Sequence, residues 1–265
     1  GVRLVGSEMC IRDRIDSDGI LNGMVLTSDI ENVISLSIPE RGIEDLTGLE
    51  DFISLEFLDI WNNFLLTSIN VSNNTSLTFL NSSFCFGVNS LDLSNNVNLT
   101  ILRAEQMSLT EIDLSANILL EELYIGNPEY DVIPQNLIET LNMSNNSELR
   151  FLSCSFLFSL ESIDLSMNPN LEILDAVFCN LSELDTSNSP LLREAYLGEN
   201  ITIIEVPSNN FDILNFRGNQ NLELLSVFDC DLTELSLDNG NNEILTQVFA
   251  QRNPNLICID VDDPG

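Results

Sequence analysis

Residues Leu55–Asn98 read LEFLDIWNNFLLTSINVSNNTSLTFLNSSFCFGVNSLDLSNNVN, which is one 22-residue pattern written twice. Each copy divides into two halves of eleven, with an aliphatic residue at the same central place in both. That central residue recurs along most of the chain, at Leu58, Ile69, Leu80, Leu91, Leu102, Ile112, Leu123, Leu141, Leu152, Ile163, Leu174, Leu184, Leu225, Leu235, Val248 and Ile259. A short fixed period predicts a solenoid, in which each coil covers the apolar face of its neighbour.

A longer period lies above the first one. The ten coils begin at Val33, Leu55, Leu77, Leu99, Leu120, Leu149, Leu171, Leu192, Leu222 and Leu245, which makes successive steps of 22, 22, 22, 21, 29, 22, 21, 30 and 23 residues. The series 22, 21, 29 is followed by 22, 21, 30, and Leu77–Asn98 is identical to Leu149–Asn170 at 12 of 22 positions. Duplication of a block of three coils explains both observations.

Each half of a coil has its own structural signature. The first half alternates aliphatic and other residues, which predicts a strand with its aliphatic side chains turned inward. The chain then turns at Asn63, Asn200 and Asn253, whose amides can bond the buried backbone of the bend. The second half predicts hydrogen-bond ladders of asparagines and serines, at Asn74, Asn96, Asn117, Asn146 and Asn168, and at Ser72, Ser94, Ser115, Ser144, Ser166 and Ser187.

These motifs resemble those of the leucine-rich-repeat family, over about Ile15–Asp263. The Asp-Leu-Ser-Asn-Asn of the second half-coil and the terminal run Asn253–Asp262 look like the secreted leucine-rich-repeat proteins of marine Bacteroidetes. We predict one right-handed repeat solenoid of about ten coils over residues 33–261. A parallel sheet should form its concave face, and its convex face should be mostly turns and short extended pieces with little helix.

The ends of the chain fit no coil. Residues 1–14 resemble a translated sequencing adapter, so we expect them to be non-native and to pack on nothing. Residues 15–32 are expected to be the remnant of an N-terminal cap, in which Asp16–Gly19 suits a turn better than a calcium loop and Ser28–Glu31 fits a capping box. Residues 262–265 are expected to be a truncated C-terminus, because solenoids need capped ends.

Composition excludes several functions. The chain has 42 acidic and 9 basic residues, no histidine and a net charge of −33. That charge repels nucleic acid and anionic membranes, and suits basic partners, divalent cations or plain solubility. Without histidine the Ser-His-Asp, Cys-His and His-Glu-x-x-His constellations are impossible, and no apolar run is long enough to span a bilayer. We therefore expect a monomer that is not an enzyme, with no cofactor, no bound metal, no nucleic-acid partner and no membrane insertion.

The cysteines divide into two groups. Cys85, Cys179 and Cys230 lie at the asparagine position of the first half-coil, and Cys154 replaces an inward aliphatic residue. We expect these four to be buried as small apolar side chains. Cys258 lies on the exposed parity of the last strand, and the family resemblance implies a partner for it that this chain lacks.

A column of four aspartates and one asparagine follows the second half-coils, at Asp92, Asp113, Asn142, Asp164 and Asp185. Stacked coils would place its members about 4.8 Å apart. Like charges at that spacing repel unless hydrogen bonds or a cation compensate. We favour hydrogen-bonded, solvated carboxylates over bound calcium.

The strongest candidate site is the concave face. Strand parity turns the third, fifth and seventh residues of each coil away from the core, and these positions hold many aromatic and acidic residues. The ten predicted ligand-binding residues are Phe57, Asp59, Trp61, Phe79, Tyr124, Phe151, Asp175, Tyr196, Phe228 and Phe249. The acidic residues Glu105, Glu122 and Glu194 are predicted to lie between them on the same face. Contiguous apolar surface usually marks a contact site, and the alternative is that these rings only support one another across strands. Trp61 is the best single anchor, because tryptophan combines a large apolar area with a donor.

These features predict a non-catalytic, adhesin-like module that binds a protein or peptide and is extracellular or attached to a bacterial cell surface. A glycan-binding module is an alternative, because aromatic faces beside carboxylates also suit sugars. A structural spacer in a larger surface protein is another.

The two long coils should bulge alike. Gly126–Leu137 and Gly198–Phe211 replace a normal turn, and Pro134 and Pro207 forbid continued ladder bonding. We expect two loops on the same edge of the solenoid, three coils apart.

Overall fold

The computed structural model describes residues 26–128, 135–198 and 209–262 and has the predicted architecture, a parallel β-solenoid. The first half of every coil contributes one strand to a ten-stranded parallel sheet whose order follows the chain. Its strands are β1 (Ser35–Ser37), β2 (Phe57–Asp59), β3 (Phe79–Asn81), β4 (Ile101–Arg103), β5 (Glu122–Tyr124), β7 (Phe151–Ser153), β9 (Ile173–Asp175), β10 (Glu194–Gly198), β12 (Leu224–Val227) and β14 (Gln247–Phe249).

The register of this sheet is the one that the period predicts. Leu36 pairs with Leu58 at one end and Leu225 pairs with Val248 at the other. The central residues between them pair in the same way, at Leu80, Leu102, Leu123, Leu152, Leu174 and Ala195. In most of these strands the central side chain is buried and its two neighbours are partly exposed, as expected when alternate side chains point to opposite faces.

The second halves of the coils form the opposite side of the solenoid. Two short parallel sheets lie there, one of β6 (Thr140–Asn142) and β8 (Ser162–Asp164), the other of β11 (Ile213–Asn215), β13 (Glu234–Ser236) and β15 (Cys258–Asp260). Helix in the described residues is limited to α1 (Thr27–Ile30) and a 3-10 turn at Leu49–Asp51. Turns and short extended pieces therefore make up this side, as predicted.

Asparagine amides hold the turn that follows several of the first-half strands. The Asn63 Nδ2 donates to the carbonyls of Ile38 and Ile60, at 2.9 and 2.8 Å, and its Oδ1 accepts from the Ile43 N–H at 3.1 Å. Asn253 bonds Val227 and Ala250 in the same manner. Asn200 lies outside the described residues.

In the long coils the same role belongs to asparagines that the sequence did not single out. Asn136 bonds the carbonyls of Ala104 and Ile125, and Asn209 bonds those of Ala176 and Leu197. Both long segments thus return to the solenoid at an equivalent position, which supports the duplicated block. Most of the two predicted loops lies outside the described residues, so their shared edge stays a prediction.

The second asparagine column is a continuous ladder between coils. Asn96 donates to the carbonyls of Val71 and Asn74, at 3.0 and 2.9 Å, and Asn117 donates in turn to the Asn96 carbonyl at 2.9 Å. Ser189 continues the ladder in one coil by donating to the Asn168 carbonyl. This ladder confirms the structural role predicted for the asparagines.

The serine column differs from its prediction, because its bonds are local. The Ser94 N–H donates to the Asp92 carboxylate at 3.0 Å, and Ser115 bonds Asp113 in the same way at 2.9 Å. The column is therefore a set of separate Asx turns, in which a short acceptor side chain bonds the backbone two residues on. The predicted capping box also differs, since α1 begins at Thr27 and Leu26 occupies the N-cap without a side-chain bond.

The described cysteines lie where the pattern predicts them. Cys85, Cys154, Cys179 and Cys230 are free and buried, and Cys258 is free and exposed. Residues 1–14 lie outside the described residues, so their predicted lack of packing stays a prediction.

Candidate functional site

The outward side chains of the ten-stranded sheet form one surface, here called the sheet face. It consists of three columns of side chains. One column is formed by the third residues of successive coils, one by the fifth residues and one by the seventh, and each column runs across the strands. The parallel register aligns them, so that Phe57 lies beside Phe79 and Tyr196 lies beside Asp175. A side chain on this face therefore contacts residues 21 to 30 positions away in the chain.

All ten predicted binding residues occupy positions in the three columns of the sheet face. Eight are partly exposed, and Phe249 is 43% exposed. Phe228 departs from its prediction, because it is only 8% exposed. The Arg252 guanidinium lies over its ring at 5.3 Å from the centroid and helps to cover it.

Rings pack on one another in the N-terminal part of the face. The Phe57 and Phe79 rings stack with centroids 4.4 Å apart, and the edge contact of Trp61 with Phe84 spans 5.9 Å between centroids. Mutual support across strands, the alternative to a contact site, therefore accounts for part of this aromatic content. Trp61 remains partly exposed beside this packing.

The eighth residue of a coil lies in the turn at the strand end, and in three coils it is a phenylalanine. It has a left-handed backbone in eight coils, with φ between 49° and 63°, at Glu40, Asn62, Phe84, Gln106, Phe156, Phe178, Asp229 and Arg252. Bulky residues rarely adopt this conformation. The repeat imposes it, because polar residues adopt it in the equivalent turns as well. Three phenylalanines there form ring contacts, including one of 5.2 Å between Phe156 and Phe178.

A depression of about 910 Å³ lies in the C-terminal half of the sheet face. We call it the C-terminal depression. Its lining residues are Phe151, Ile173, Asp175, Val177, Glu194, Tyr196, Gly198, Ser226, Phe228, Phe249 and Gln251, contributed by five successive strands and the segments after them. Within the depression, the small residues Gly198 and Ser226 lie among the aromatic residues Phe151, Tyr196 and Phe249. Five of the ten predicted residues line it.

Asp175 lies in this depression between two serines and a tyrosine. Its carboxylate accepts hydrogen bonds from the Ser153 hydroxyl, at 3.1 Å, and from the Ser155 hydroxyl. Burial raises the pKa of the Asp175 carboxyl above its ordinary value, and the serine hydrogen bonds offset part of that rise. Within the described part of the chain, Asp175 forms no ion pair with an arginine.

Glu194 and Tyr196 form a fixed pair on the next strand. The Tyr196 hydroxyl donates to the Glu194 carboxylate at 2.8 Å, and the Arg193 guanidinium also pairs with Glu194. Burial raises the pKa of Tyr196 most, the hydrogen bond to Glu194 raises it further, and the result is a pKa of about 12. The phenol therefore stays protonated and can donate. The position of the ring beside Asp175 is thereby held.

The duplicated block repeats this pair one block earlier. The Tyr124 hydroxyl donates to Glu122 at 3.1 Å, and the Tyr124 ring stacks on Phe151 at 4.7 Å. The Arg103 guanidinium lies over the Tyr124 ring, 4.2 Å from its centroid. Nearby, burial raises the pKa of Glu105, while Arg103 and a Ser83 hydrogen bond lower it.

The acidic column on the opposite side is hydrogen-bonded. Bonds from Ser94 lower the pKa of Asp92, and bonds from Ser115, Ser166 and Ser187 do the same for Asp113, Asp164 and Asp185. Over residues 26–128, 135–198 and 209–262, no group of three or more Cys, Asp or Glu side chains has an arrangement that could hold a metal ion. In the same ranges, no helix has the length and apolar character needed to cross a bilayer.

Strand parity located the lining residues but not the depression itself. Ile173, Val177, Glu194, Ser226 and Gln251 occupy outward positions that the alternation identifies, and nothing in the sequence indicates how deeply the face curves at those coils. The contact of Arg252 with Phe228 depends on a turn conformation, and no sequence signal indicates it.

Comparison with solved structures places this architecture among known proteins. The functional domain of InlJ from Listeria monocytogenes, described as including a cysteine ladder, matches with a TM-score of 0.60 and 23% identity, over 93% of this chain and 60% of that one. A leucine-rich-repeat protein of Leptospira interrogans matches with a TM-score of 0.51 and 17% identity, over 82% of this chain and 64% of that one. The leucine-rich-repeat ectodomain of the Arabidopsis thaliana receptor kinase GASSHO1/SCHENGEN3 matches with a TM-score of 0.51 and 18% identity, over 98% of this chain and 40% of that one.

No protein-family model and no curated protein matches the chain. The chain spans 60% of the length of the Listeria domain. At these identities the likeness shows the fold, and it agrees with the 22-residue period, the ten-stranded parallel sheet and the asparagine ladders. The chain has the leucine-rich-repeat fold.

Proposed function

We propose that this chain is a non-catalytic module that binds a protein or peptide segment in the C-terminal depression of its sheet face. The observation that carries this proposal is the hollow of about 910 Å³ with mostly apolar and aromatic walls around two carboxylates. Apolar clefts of roughly 300–1,000 Å³ with a few placed polar groups are typical of binding sites.

Charge indicates what kind of partner fits. The chain has a net charge of −33, and none of the described residues that line the depression is basic. A basic segment with apolar side chains complements both the walls and the carboxylates, and the overall charge speeds its encounter with the face.

The fold supports an extracellular, adhesin-like role as part of the same proposal. The Arabidopsis ectodomain was solved in complex with CASPARIAN STRIP INTEGRITY FACTOR 2, so one protein with this fold binds a partner. We extend binding to this chain on the strength of its own depression. Glycan binding is a second candidate, because the Tyr196 ring beside Asp175 and Glu194 also suits a sugar face.

Selection from a library tests the proposal. Random twelve-residue peptides displayed on phage would be panned against the full chain in 0.5 M NaCl, which screens non-specific attraction to the acidic surface. Fluorescence anisotropy would then compare selected peptides on wild type, Tyr196→Ala and Phe249→Ala. The matched control is Phe64→Ala, an equally large ring that is 51% exposed and lies outside the depression.

We expect each depression variant to weaken binding by about tenfold or more, as central aromatic anchors do, and the control to change it less than about twofold. Peptides that bind Tyr196→Ala and Phe249→Ala as tightly as wild type would contradict the proposal. A glycan array that gives binding sensitive to Tyr196→Ala, with no peptide recovered from the library, would favour the sugar-binding alternative.

A further inference from the structure

The duplicated block gives the sheet face two copies of one arrangement. In each copy a tyrosine hydroxyl donates to a glutamate two residues earlier, Tyr124 to Glu122 at 3.1 Å and Tyr196 to Glu194 at 2.8 Å. A glycine follows two residues later in both, so the strands end alike. Differences between the copies therefore identify what has changed around an otherwise constant tyrosine.

The copies differ in the residue beside the tyrosine on the preceding strand. Arg103 is paired with Tyr124 in the register, and its guanidinium lies over the ring at 4.2 Å from the centroid. In the second copy the residue paired with Tyr196 is Asp175, 72 positions after Arg103. Among the described residues, no arginine lies over the Tyr196 ring. The second copy therefore has an anion at the place where the first copy has a cation.

The local chemistry of the second copy suits a cation from outside the chain. Asp175 accepts two hydrogen bonds from neutral serine hydroxyls and forms no ion pair with the described arginines. Glu194, the other carboxylate of the depression, is already paired with Arg193 and Tyr196. A partly desolvated carboxylate beside an aromatic ring attracts a cation more strongly than an exposed carboxylate does.

We propose that the C-terminal depression binds an arginine side chain of a basic peptide between Asp175 and Tyr196. The guanidinium lies over the Tyr196 ring, as Arg103 lies over Tyr124, and its N–H groups donate to the Asp175 carboxylate. This inference rests on the proposed function and names the residue that the site recognises. Ile173, Val177 and Phe249 take the apolar residues beside the arginine.

Arginine fits this site better than lysine does. Its planar guanidinium stacks on an aromatic ring while donating two parallel hydrogen bonds to one carboxylate. A lysine ammonium is a compact, strongly hydrated charge without a plane to stack. The partial burial of the Asp175 carboxylate adds to the preference for arginine. A cation must lose water to reach it, and the guanidinium, which is less hydrated than an ammonium, loses that water at a lower cost in free energy.

Three synthetic peptides test the inference directly. They are acetyl-Ala-Phe-Arg-Phe-Ala-amide and its versions with lysine or with citrulline, the neutral isostere of arginine, in place of arginine. Binding to the full chain in 0.3 M NaCl would be measured from backbone amide shifts by NMR. The variants are Asp175→Asn and Asp175→Arg, with Asp113→Asn as the control, an exposed carboxylate in the column on the opposite side of the solenoid.

We expect the arginine peptide to bind wild type about tenfold or more tightly than the citrulline peptide, and also more tightly than the lysine peptide. Asp175→Asn should abolish the preference over citrulline, and Asp113→Asn should keep it. Asp175→Arg should place its own guanidinium over Tyr196 and block the arginine peptide. Each variant must keep the thermal midpoint of wild type within a few degrees. If Asp175→Arg does not fold, the result for Asp175→Asn decides the test.

Equal affinity for the arginine and citrulline peptides, or no binding of any of the three, would overturn the inference. So would an arginine preference that survives Asp175→Asn. The proposal that the depression binds a peptide is tested independently of the arginine site. Library peptides that need Tyr196 and Phe249 but show no enrichment of arginine would preserve peptide binding and remove the arginine site.

Discussion

Side-chain amides hold the turns of this solenoid, and the sequence reveals them because they interrupt an apolar pattern at a fixed position. Asn63 and Asn96 were identifiable for that reason, and both bond carbonyls of neighbouring turns. Asn136 and Asn209 perform the same role after long insertions, which move them out of the period. A ladder residue is therefore predictable where the spacing is regular and hidden where an insertion displaces it.

Carboxylates on the two sides of the solenoid should respond oppositely to pH. Burial raises the pKa of Asp175, so its ionisation costs stability as pH rises above the ordinary aspartate value and through the folded-state pKa. Hydrogen bonds from Ser187 lower the pKa of Asp185, so its contribution to stability is present above the ordinary value and is lost as pH falls through the folded-state pKa.

Urea unfolding at pH 3 and pH 7 tests this contrast, because that interval includes pH values on both sides of the ordinary aspartate pKa. Relative to wild type, Asp175→Asn should become more stable as pH rises, because the variant has no carboxylate to ionise in a buried place. Asp185→Asn should become relatively less stable over the same interval. If the two variants followed the same trend, the assignment of a desolvated carboxylate to the sheet face would be wrong.

Trp61 offers a second test at the residue scale. Its ring is partly exposed and touches Phe84 only at an edge, 5.9 Å between centroids, so Trp61→Ala should reduce the free energy of unfolding by less than about 1.5 kcal/mol. Phe52→Ala is the control, because that ring is fully buried and its loss should cost about 3–5 kcal/mol. Denaturant unfolding of both variants measures the difference. A cost for Trp61→Ala as large as that of the control would make Trp61 structural and remove it as a proposed anchor.

At the scale of strands and turns, the period determines more than the residue types do. Val248 and Ala195 take their places in the sheet although neither is a leucine, because the step from the preceding coil fixes the register. The left-handed eighth residue has no such signal. Phe84, Phe156 and Phe178 have a left-handed backbone conformation that is usual for glycine or asparagine. A phenylalanine at that position would instead predict a backbone with negative φ.

Glycines end the strands of the two long coils because the next coil approaches closely. A Cβ on Gly198 would lie 2.8 Å from the Phe228 nitrogen and would overlap the Phe228 carbonyl oxygen, and one on Gly126 would lie 2.9 Å from the Ser155 nitrogen. Gly198→Ala and Gly126→Ala should each lower the free energy of unfolding by roughly 1–3 kcal/mol or more, since a neighbouring backbone must move.

Gly218→Ala is the matched control for these substitutions. Its Cβ would meet the Ser187 carbonyl oxygen at 3.3 Å, a contact that small shifts relieve. Chemical denaturation of the three variants would show the two strand-end glycines as clearly more costly than Gly218. Equal costs would contradict the close approach of coils at the point where the long segments leave the sheet.

At the scale of the whole molecule, the sequence was sufficient for the solenoid and insufficient for the place where it binds. A repeat specifies the neighbours of every coil, so strand order and the outward columns follow from spacing alone. Curvature of the sheet sums many small rotations between coils, and no single residue carries it. For that reason Phe57 and Phe249 were equally good candidates by parity, whereas only Phe249 lines the depression.

Photocrosslinking tests the central claim, that the partner occupies the C-terminal depression. The photoreactive residue p-benzoylphenylalanine would replace Phe249 in one variant and Phe64 in another, and each would be irradiated with the tightest peptide from the library. Phe249 lines the depression and Phe64 is exposed outside it. We predict a crosslinked product from position 249 and little or none from position 64. Crosslinking from position 64 with none from position 249 would show that the partner binds elsewhere and contradict the account.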